Sequence, residues 1–325
     1  MGNRQPLLIE GMHGLGDNVH QRAILRQLIE PGRDIWLTTP WPCVYHDMPD
    51  LKLVRPRYEG LRTQFKNMER EAARYTREPP APHAFPMRIW YDKAGIDAVG
   101  SILGAMLLRA SCDPTIGDFR YRDVPQAWID EARRFVKTDK PILVYRPLVV
   151  RDEWPGCAIR NPDFHAYAYL FELIRRRFYV VSIADLVPNK EWTVGREVDV
   201  DLKLHRGELH FPALVGLFAM ASMVYTSPGF ATVLAQAVST PLVTVFGGRE
   251  SGQTISLGAR YSPTLAIDPI KPCMCMSTEH GCSENKAIDL VVARRKIIGF
   301  TDASLADHRD RTGHGGLERA PATVF

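Results

Sequence analysis

The sequence predicts an α/β protein of two domains, each built on a parallel sheet, and three features predict it. Its 325 residues exceed one ordinary core and suit two units of roughly 150 residues each. Short apolar runs alternate with stretches of helical spacing, the rhythm of strand–helix–strand crossovers. That rhythm is interrupted near residues 138–141 and then starts again.

The first half opens with PLLIE (Pro6 to Glu10), an apolar run closed by glycines, and Asp17 to Glu30 then carries Val19, Ala23, Ile24 and Leu28 at helical spacing. DIWLT (Asp34 to Thr38) and LKLVR (Leu51 to Arg55) are the next strands, joined through Pro40, Pro42 and Pro49. Gly60 to Arg77 favours helix and carries Arg62, Lys66, Arg70, Arg74 and Arg77 against few acids. A basic helix leading into the proline-rich loop EPPAPHAFP is expected there. MRIWY (Met87 to Tyr91) supplies a fourth strand, and Ile96 to Arg109 an apolar helix.

A charged helix, Ala127 to Lys137, gives way at Thr138 to Pro141 to the buried-strand pattern PILVYRP. The expected division is therefore a first domain of residues 1–138 and a second of residues 139–303. In the second, PILVYR, a helix at Asp163 to Arg177, the strand FYVVSIADL, a helix at His210 to Ala221, the strand MVYT, a helix at Phe230 to Val238 and the strand LVTVFGG repeat the β-α-β order. No short-period repeat is present, which excludes a solenoid. Residues 304–325 are polar and glycine-containing, and a loosely held tail is expected.

An apolar fraction of 45% and a charged fraction of 24% are those of an average globular chain. The net charge of +4 and pI near 8.7 suit an anionic substrate but fall short of a dedicated nucleic-acid binder. The stretch MGNRQPLLIEGMHG carries no long apolar run, and no window approaches eighteen uninterrupted apolar residues. The expectation is a cytoplasmic protein, attached at most to the periphery of an inner membrane face. Its six cysteines are then mostly reduced.

Open parallel sheets bind ligands at the carboxyl ends of their strands, where glycines let backbone amides and a helix N-terminus approach. The turn GMHGLGDN fits this role, with His13, Gly14, Gly16 and Asn18 as acceptor-side candidates around Asp17. Its spacing is not the dinucleotide G-x-G-x-x-G, and no acid at the end of the second strand offers a ribose contact, so a nicotinamide enzyme is disfavoured. Asp17 is a candidate general base, a role worth roughly 10²- to 10⁴-fold in rate; the plain alternative is a helix cap worth about 1 kcal/mol.

In the second half, Arg146 ends a buried strand and Arg151 and Arg160 sit in the loop that follows. Guanidinium groups match phosphate oxygens in bidentate geometry and can neutralise a departing nucleoside diphosphate; the plain alternative is salt bridging to Asp152, Glu153 and Asp163. Ser227-Pro228-Gly229 leads into a helix at Phe230 whose first amides are free, a second phosphate cradle. The next strand ends in Gly247, Gly248, Arg249 and Glu250, where the carboxylate could hold a ribose or base. Cys273, Cys275, His280 and Cys282 are near enough in sequence for a zinc site, although C-x-C-x₆-C is an uncommon spacing and packing is the simpler reading.

Three stretches together resemble glycosyltransferase family 9, the heptosyltransferase-like enzymes. These are GLGDNVHQRAILRQL, VYRPLVVRDEWP and LHFPALVGLFAMASMVYTSPGFATVLAQAVSTPLVTVFGG. The resemblance spans most of the chain and implies the GT-B fold, two Rossmann-like domains facing across a cleft. It implies inverting, metal-independent transfer from a nucleotide-sugar of ADP or UDP type, with no further cofactor and with Asp17 as base. It also implies an anionic or polyhydroxylated acceptor, in the family a growing lipopolysaccharide. The lysine that the family places in the second-domain loop corresponds to Arg151, and CMCMSTEHGC resembles its late cysteine cluster. Where the family's donor block has Asp-Ser/Thr-Gly and a histidine three residues on, this chain has Ser227-Pro228-Gly229-Phe230 and lacks the histidine. A sugar-nucleotide epimerase of the same fold and a non-catalytic nucleotide- or nucleic-acid-binding protein, motivated by the basic stretch Arg55 to Arg77, are the alternatives.

Overall fold

The computed structural model describes residues 5–57, 60–154, 160–195, 197–254, 261–276 and 286–313. Contacts divide the chain into two compact units, Met1–Phe119 and Arg120–Phe325.

The first unit carries β1 (Leu7–Glu10), α1 (Leu15–Leu28), β2 (Ile35–Thr38), β3 (Leu51–Val54), α2 (Arg62–Arg70), β4 (Phe85–Arg88), α3 (Lys93–Val99) and α4 (Ile102–Arg109). Its strands pair in parallel in the order β3-β2-β1-β4. β1, β2 and β3 lie in chain order, and β4 crosses back to the free side of β1. The chain reverses its direction of growth between β1 and β4, and ligand crevices open at such points in parallel sheets. Leu7, Ile9, Ile35 and Leu37 are buried on one side of this sheet, together with Val19, Ile24 and Leu25 of α1. An ion pair between buried Arg22 and the partly exposed Asp47 anchors the helix beneath. Arg22 of α1 makes a bidentate bond to Asp47, 2.7 Å to each oxygen, and reaches the carbonyls of Val44 (2.5 Å) and Phe119 (3.0 Å). Burial alone would push the Asp47 carboxyl up, but the Arg22 hydrogen bonds and charge outweigh it and hold the pKa below the usual range.

Three sequence expectations shift here. The fourth strand begins at Phe85, inside the anticipated loop, because β4 pairs only with β1 and an edge strand tolerates the missing N–H of Pro86. The helix expected over residues 96–109 is two, broken where Gly100 takes φ +80° and Ser101 caps α4 through Gly104 N–H. The basic helix ends at Arg70 and continues only as a short 3-10 turn at Ala72–Arg74.

The second unit carries α5 (Gln126–Phe135), β5 (Ile142–Tyr145), β6 (Val149–Arg151), α6 (Phe164–Glu172), β7 (Tyr179–Ile183), β8 (Glu191–Thr193) and β9 (Leu202–Leu204). It continues with α7 (Phe211–Met220), β10 (Met223–Thr226), α8 (Phe230–Ala237), β11 (Leu242–Val245), β12 (Thr264–Ile267) and α9 (Leu290–Gly313). Six strands form a parallel sheet in the order β12-β11-β10-β5-β7-β9, and β6 and β8 make a separate antiparallel pair. Renumbered from β5, the six-stranded order is 3-2-1-4-5-6, the doubly wound dinucleotide-fold arrangement, with its switch point between β5 and β10. Every residue of β5, β10 and β11 is buried, as expected for parallel strands covered on both faces. Tyr145, Tyr167, Phe171 and Tyr225 form an aromatic cluster, with ring centroids 4.3–6.1 Å apart.

The division falls at Phe119/Arg120 rather than at residue 138, because α5 packs on α7 within the second unit. A Cβ on Gly216 of α7 would fall on the Trp128 carbonyl of α5, so only glycine lets the backbones approach this closely. Trp128, Tyr121 and Phe211 close the same contact, with ring centroids 6.2–6.5 Å apart. The tail expected from residue 304 is still helix to Gly313, and Leu305 packs into the core. Residues 314–325 lie outside the described ones.

Candidate functional site

At the first unit's switch point, the turn between β1 and α1 is held by side chains rather than by a capping oxygen. Helix α1 starts at Leu15 with Gly14 as a cap that makes no side-chain bond, which puts Asp17 in the first turn rather than at the cap position. There the helix's free N–H groups face an acid favourably. The Asp17 carboxylate folds back over Gly14 so closely that a Cβ there would meet it. Gly16 lies between them, half-exposed.

Asn18, expected on the acceptor side, is instead fully buried and forms the hub of the turn. Its amide donates to the carbonyls of Met12 (2.6 Å) and Gly14 (2.8 Å), and its oxygen accepts from Thr39 (2.6 Å), Tyr45 (2.9 Å) and Gln21 (3.2 Å). Gln21 also accepts from Met12 N–H at 2.9 Å and donates to the Tyr45 hydroxyl. The His13 carbonyl receives Trp41 Nε1 and Gln64 Nε2, both at 2.9 Å, which docks α2 on the turn. Nothing in the sequence marked Gln21, Thr39, Tyr45 or Gln64, since isolated polar residues on helices and loops carry no periodic signal.

Beside this turn a cavity of about 330 Å³ is lined by Leu8, Glu10, Thr38, Pro86, Met87 and Arg88. Glu10 and Arg88 are the last residues of β1 and β4, so the cavity is the switch-point crevice. The His13 imidazole senses both of them. Desolvation lowers its pKa and Arg88 lowers it further, while Glu10 pulls the other way.

At the second unit's switch point, Arg146 follows β5 and its guanidinium lies 4.7 Å from the centre of the Phe230 ring, the first residue of α8. Its backbone is fixed by an N–H bond to Tyr225 and by the Tyr167 hydroxyl, 2.6 Å from its carbonyl. Ser227 is buried, and Gly229 caps α8 at φ +156° and ψ −161°, a region open essentially only to glycine. Open space surrounds the position where a Cβ on Gly229 would stand. Next along the same edge, His205 bonds Ser182 at 2.7 Å, and burial, Lys203 and Arg146 together lower its pKa.

Arg151, Arg160 and Arg249 are bonded to carboxylates. Arg151 bonds Glu191 at 2.9 Å across the β6–β8 pair, and Glu191 is itself buried. Arg160 and Arg249 both bind Glu250, at 2.8 and 2.7 Å, and Arg249 also reaches the Met276 carbonyl. Glu250 is therefore an enclosed ion-pair centre, 3% exposed, and not a carboxylate presented to a ribose. A Cβ on Gly247 would meet the Asn161 and Arg160 carbonyls at 2.6 and 2.8 Å, so this glycine serves the approach of two loops. The Gly248 carbonyl accepts Met274 N–H (2.9 Å) and the Cys273 thiol (3.2 Å). Cys273 and Cys275 are thiols with their sulfurs 3.5 Å apart. His280 and Cys282 lie outside the described residues, and among the described ones no three His, Cys, Asp or Glu side chains group as metal ligands.

No family model and no curated protein sequence matches the chain. Solved structures do match it along almost its whole length. The iron-containing dodecameric glycosyltransferase TibC of enterotoxigenic Escherichia coli H10407 aligns at TM-score 0.62 and 13% identity, covering 94% of this chain and 78% of that one. A glycosyl transferase family 9 protein of Veillonella parvula aligns at 0.59 and 11% identity, covering 94% and 98%. The ADP-heptose heptosyltransferase II of E. coli aligns at 0.56 and 14% identity, covering 94% and 100%. The fold is that of the family 9 glycosyltransferases. No helix among the described residues is long and apolar enough to cross a membrane.

Proposed function

We propose that the protein is a glycosyltransferase that moves a sugar from a nucleotide-sugar to an acceptor hydroxyl. The observation that carries this reading is the β5/β10 crevice, where Arg146, buried Ser227 and the glycine-capped start of α8 converge. A nucleoside diphosphate suits this crevice. Its phosphates would meet the free N–H groups of α8 and the Arg146 guanidinium, which neutralise the charge that grows on the leaving group. That supply of positive charge is what lets the transfer proceed without a metal.

The acceptor belongs to the first unit's crevice, beside the Asp17 turn. Asp17 takes the proton of the acceptor hydroxyl as its oxygen attacks the anomeric carbon. The bond to the diphosphate breaks on the opposite face, and the configuration inverts. The similar solved structures of an ADP-heptose heptosyltransferase and of a heptosyltransferase holding ADP-heptose make an ADP-sugar the first donor to test, with UDP-sugars second.

Replacing Asp17 by Asn is expected to lower turnover roughly 10²- to 10⁴-fold while donor affinity survives. Calorimetric titration of donor alongside turnover reads both quantities. Turnover that persists in the variant removes Asp17 as base. The donor is identified by thermal shift with ADP-, UDP-, GDP- and CMP-sugars, because a ligand at about 100 times its Kd stabilises the native state by roughly 2.7 kcal/mol. Release of free nucleoside diphosphate only when acceptor is present separates transfer from epimerisation.

A further inference from the structure

Three hydrogen bonds close a ring around the root of Arg146. Its N–H donates to the Tyr225 carbonyl on β10 (3.0 Å), its own carbonyl accepts the Tyr167 hydroxyl from α6 (2.6 Å), and the Tyr167 carbonyl accepts the Tyr225 hydroxyl (2.7 Å). Pro147 follows directly and restricts Arg146 to extended backbone. The chain leaving β5 is therefore held by the sheet through Arg146 N–H and by the helix through its carbonyl. The side chain mounted there runs to the Phe230 ring, 4.7 Å away at the start of α8.

Packing alone does not call for these hydroxyls. Phe171 fills its place in the same buried cluster, 4.3 Å from the Tyr145 ring, with no polar atom, and a buried phenol is costly unless its hydroxyl is bonded. Burial also pushes the Tyr167 and Tyr225 phenols well above the usual tyrosine range, so both remain donors throughout the pH range in which the protein works. The two hydroxyls end on different acceptors. That of Tyr225 reaches a carbonyl inside α6, whereas that of Tyr167 reaches the residue whose guanidinium meets the first residue of α8.

We propose that Tyr167 is a positioning residue for the donor. By holding the Arg146 carbonyl it fixes where the guanidinium stands beside the first N–H groups of α8, and so sets the affinity for a nucleoside diphosphate without touching it. This role rests on the donor reading of the β5/β10 crevice. A charged hydrogen bond to a phosphate oxygen depends steeply on distance and angle, so a peptide that shifts at Arg146 reaches the anion as a weaker contact.

The test is calorimetric titration of the full-length protein with ADP and, in parallel, with UDP, alongside thermal unfolding. Tyr167→Phe keeps the ring and removes the hydroxyl, and should raise the Kd of the diphosphate that binds about fivefold, as the loss of one net hydrogen bond does. Tyr225→Phe removes a hydroxyl just as buried from the same cluster, so its unfolding midpoint should fall by a similar amount, while the Kd rises at most about twofold. In the R146Q background, whose own Kd is raised roughly 10-fold, adding Y167F should change the Kd no further, because no guanidinium is left to position. Equal rises for Y167F and Y225F mean a loosened core and overturn the proposal. A parental Kd in Y167F, or a full fivefold rise on top of R146Q, overturns it as well, while the donor site stands. A parent that binds neither diphosphate, or an R146Q variant with the parental Kd, removes the donor reading of the crevice and this role together.

Discussion

The two switch-point turns do the same geometric job by opposite means. After β1, the chain is pinned from within. The Asn18 side chain alone takes part in five hydrogen bonds, and Gln21, Thr39, Tyr45 and Gln64 tie the turn to three neighbouring segments. After β10, the turn rests on backbone conformation, with Gly229 in a region that L residues avoid and open space where a side chain would stand. A turn fixed by side chains can hold one carboxylate, Asp17, in a set direction. A turn that leaves its amides bare can receive an anion of many atoms. The difference suits a proton acceptor on one unit and a diphosphate on the other.

The contrast is broken most severely at Asn18. Truncation to Ala removes five side-chain hydrogen bonds at once, two of them with the buried Thr39 and Tyr45 hydroxyls, and each such bond contributes about 0.5–1.5 kcal/mol net. A total loss of roughly 3–5 kcal/mol of stability is expected from denaturant unfolding. Ser227→Ala in the other turn should cost less than about 1 kcal/mol. Near-equal losses in the two variants would mean that the hydrogen-bonded turn is no better secured than the open one.

Acid should separate the units next. His20 is buried against the Phe119 ring with no hydrogen bond to Nδ1, and burial lowers its pKa to about 3; burial likewise lowers that of His46 to about 4. Both belong to the first unit. Their unfolded forms take up a proton near pH 6.5, whereas the folded forms resist it, so the stability they leave intact at neutral pH is lost as pH falls below 6.5. For His20 the loss at pH 5 is about 2 kcal/mol, at 1.36 kcal/mol per pH unit. Asp47 adds its own loss only below its unfolded pKa of 3.8. His20→Leu should therefore flatten the stability curve of the first unit between pH 6.5 and 4. A curve that keeps its slope assigns the acid sensitivity to other groups.

Much of the fold was legible because the parallel strands, buried on one face or both, write short apolar runs. PLLIE, DIWLT, LVTV and MVYT all mark strands, and the run of Gly, Ser and Pro after them marks the crevices. What escaped depends on partners distant in sequence. The β6–β8 pair rests on Arg151 meeting Glu191, and the 119/120 division rests on Gly216 admitting the Trp128 backbone. Neither leaves a local pattern. For the same reason Arg146, Arg151 and Arg160 read alike in sequence. Only contacts across the fold distinguish one over an aromatic ring at a strand end from two that already hold carboxylates.

Those arginines sharpen the comparison through a crossed pair of variants. Arg146→Gln should raise the donor Kd by roughly 10-fold or more with little change in stability, since it removes a charged phosphate contact worth about 1.5–3 kcal/mol. Arg151→Gln should leave the donor Kd unchanged but destabilise the protein by about 2 kcal/mol, because Glu191 stays buried without its cation. Donor titration together with thermal unfolding reads the two axes. An equal rise in Kd for both variants would place Arg151 at the donor despite its ion pair.

Gly229→Ala bears most directly on how the open turn works. No atom lies within 4 Å of the added Cβ, so the substitution meets no clash, and its whole cost is the backbone conformation at φ +156°. That strain is on the order of 1–3 kcal/mol, and part of it can be relieved by rotating the peptide that leads into α8. Relief of that kind turns the first N–H groups of the helix away from the crevice. Donor affinity should then fall more than stability does, with the unfolding midpoint nearly kept. If stability falls by the full strain while donor affinity is unchanged, the amides of α8 do not hold the diphosphate, and the anion site reduces to Arg146 alone.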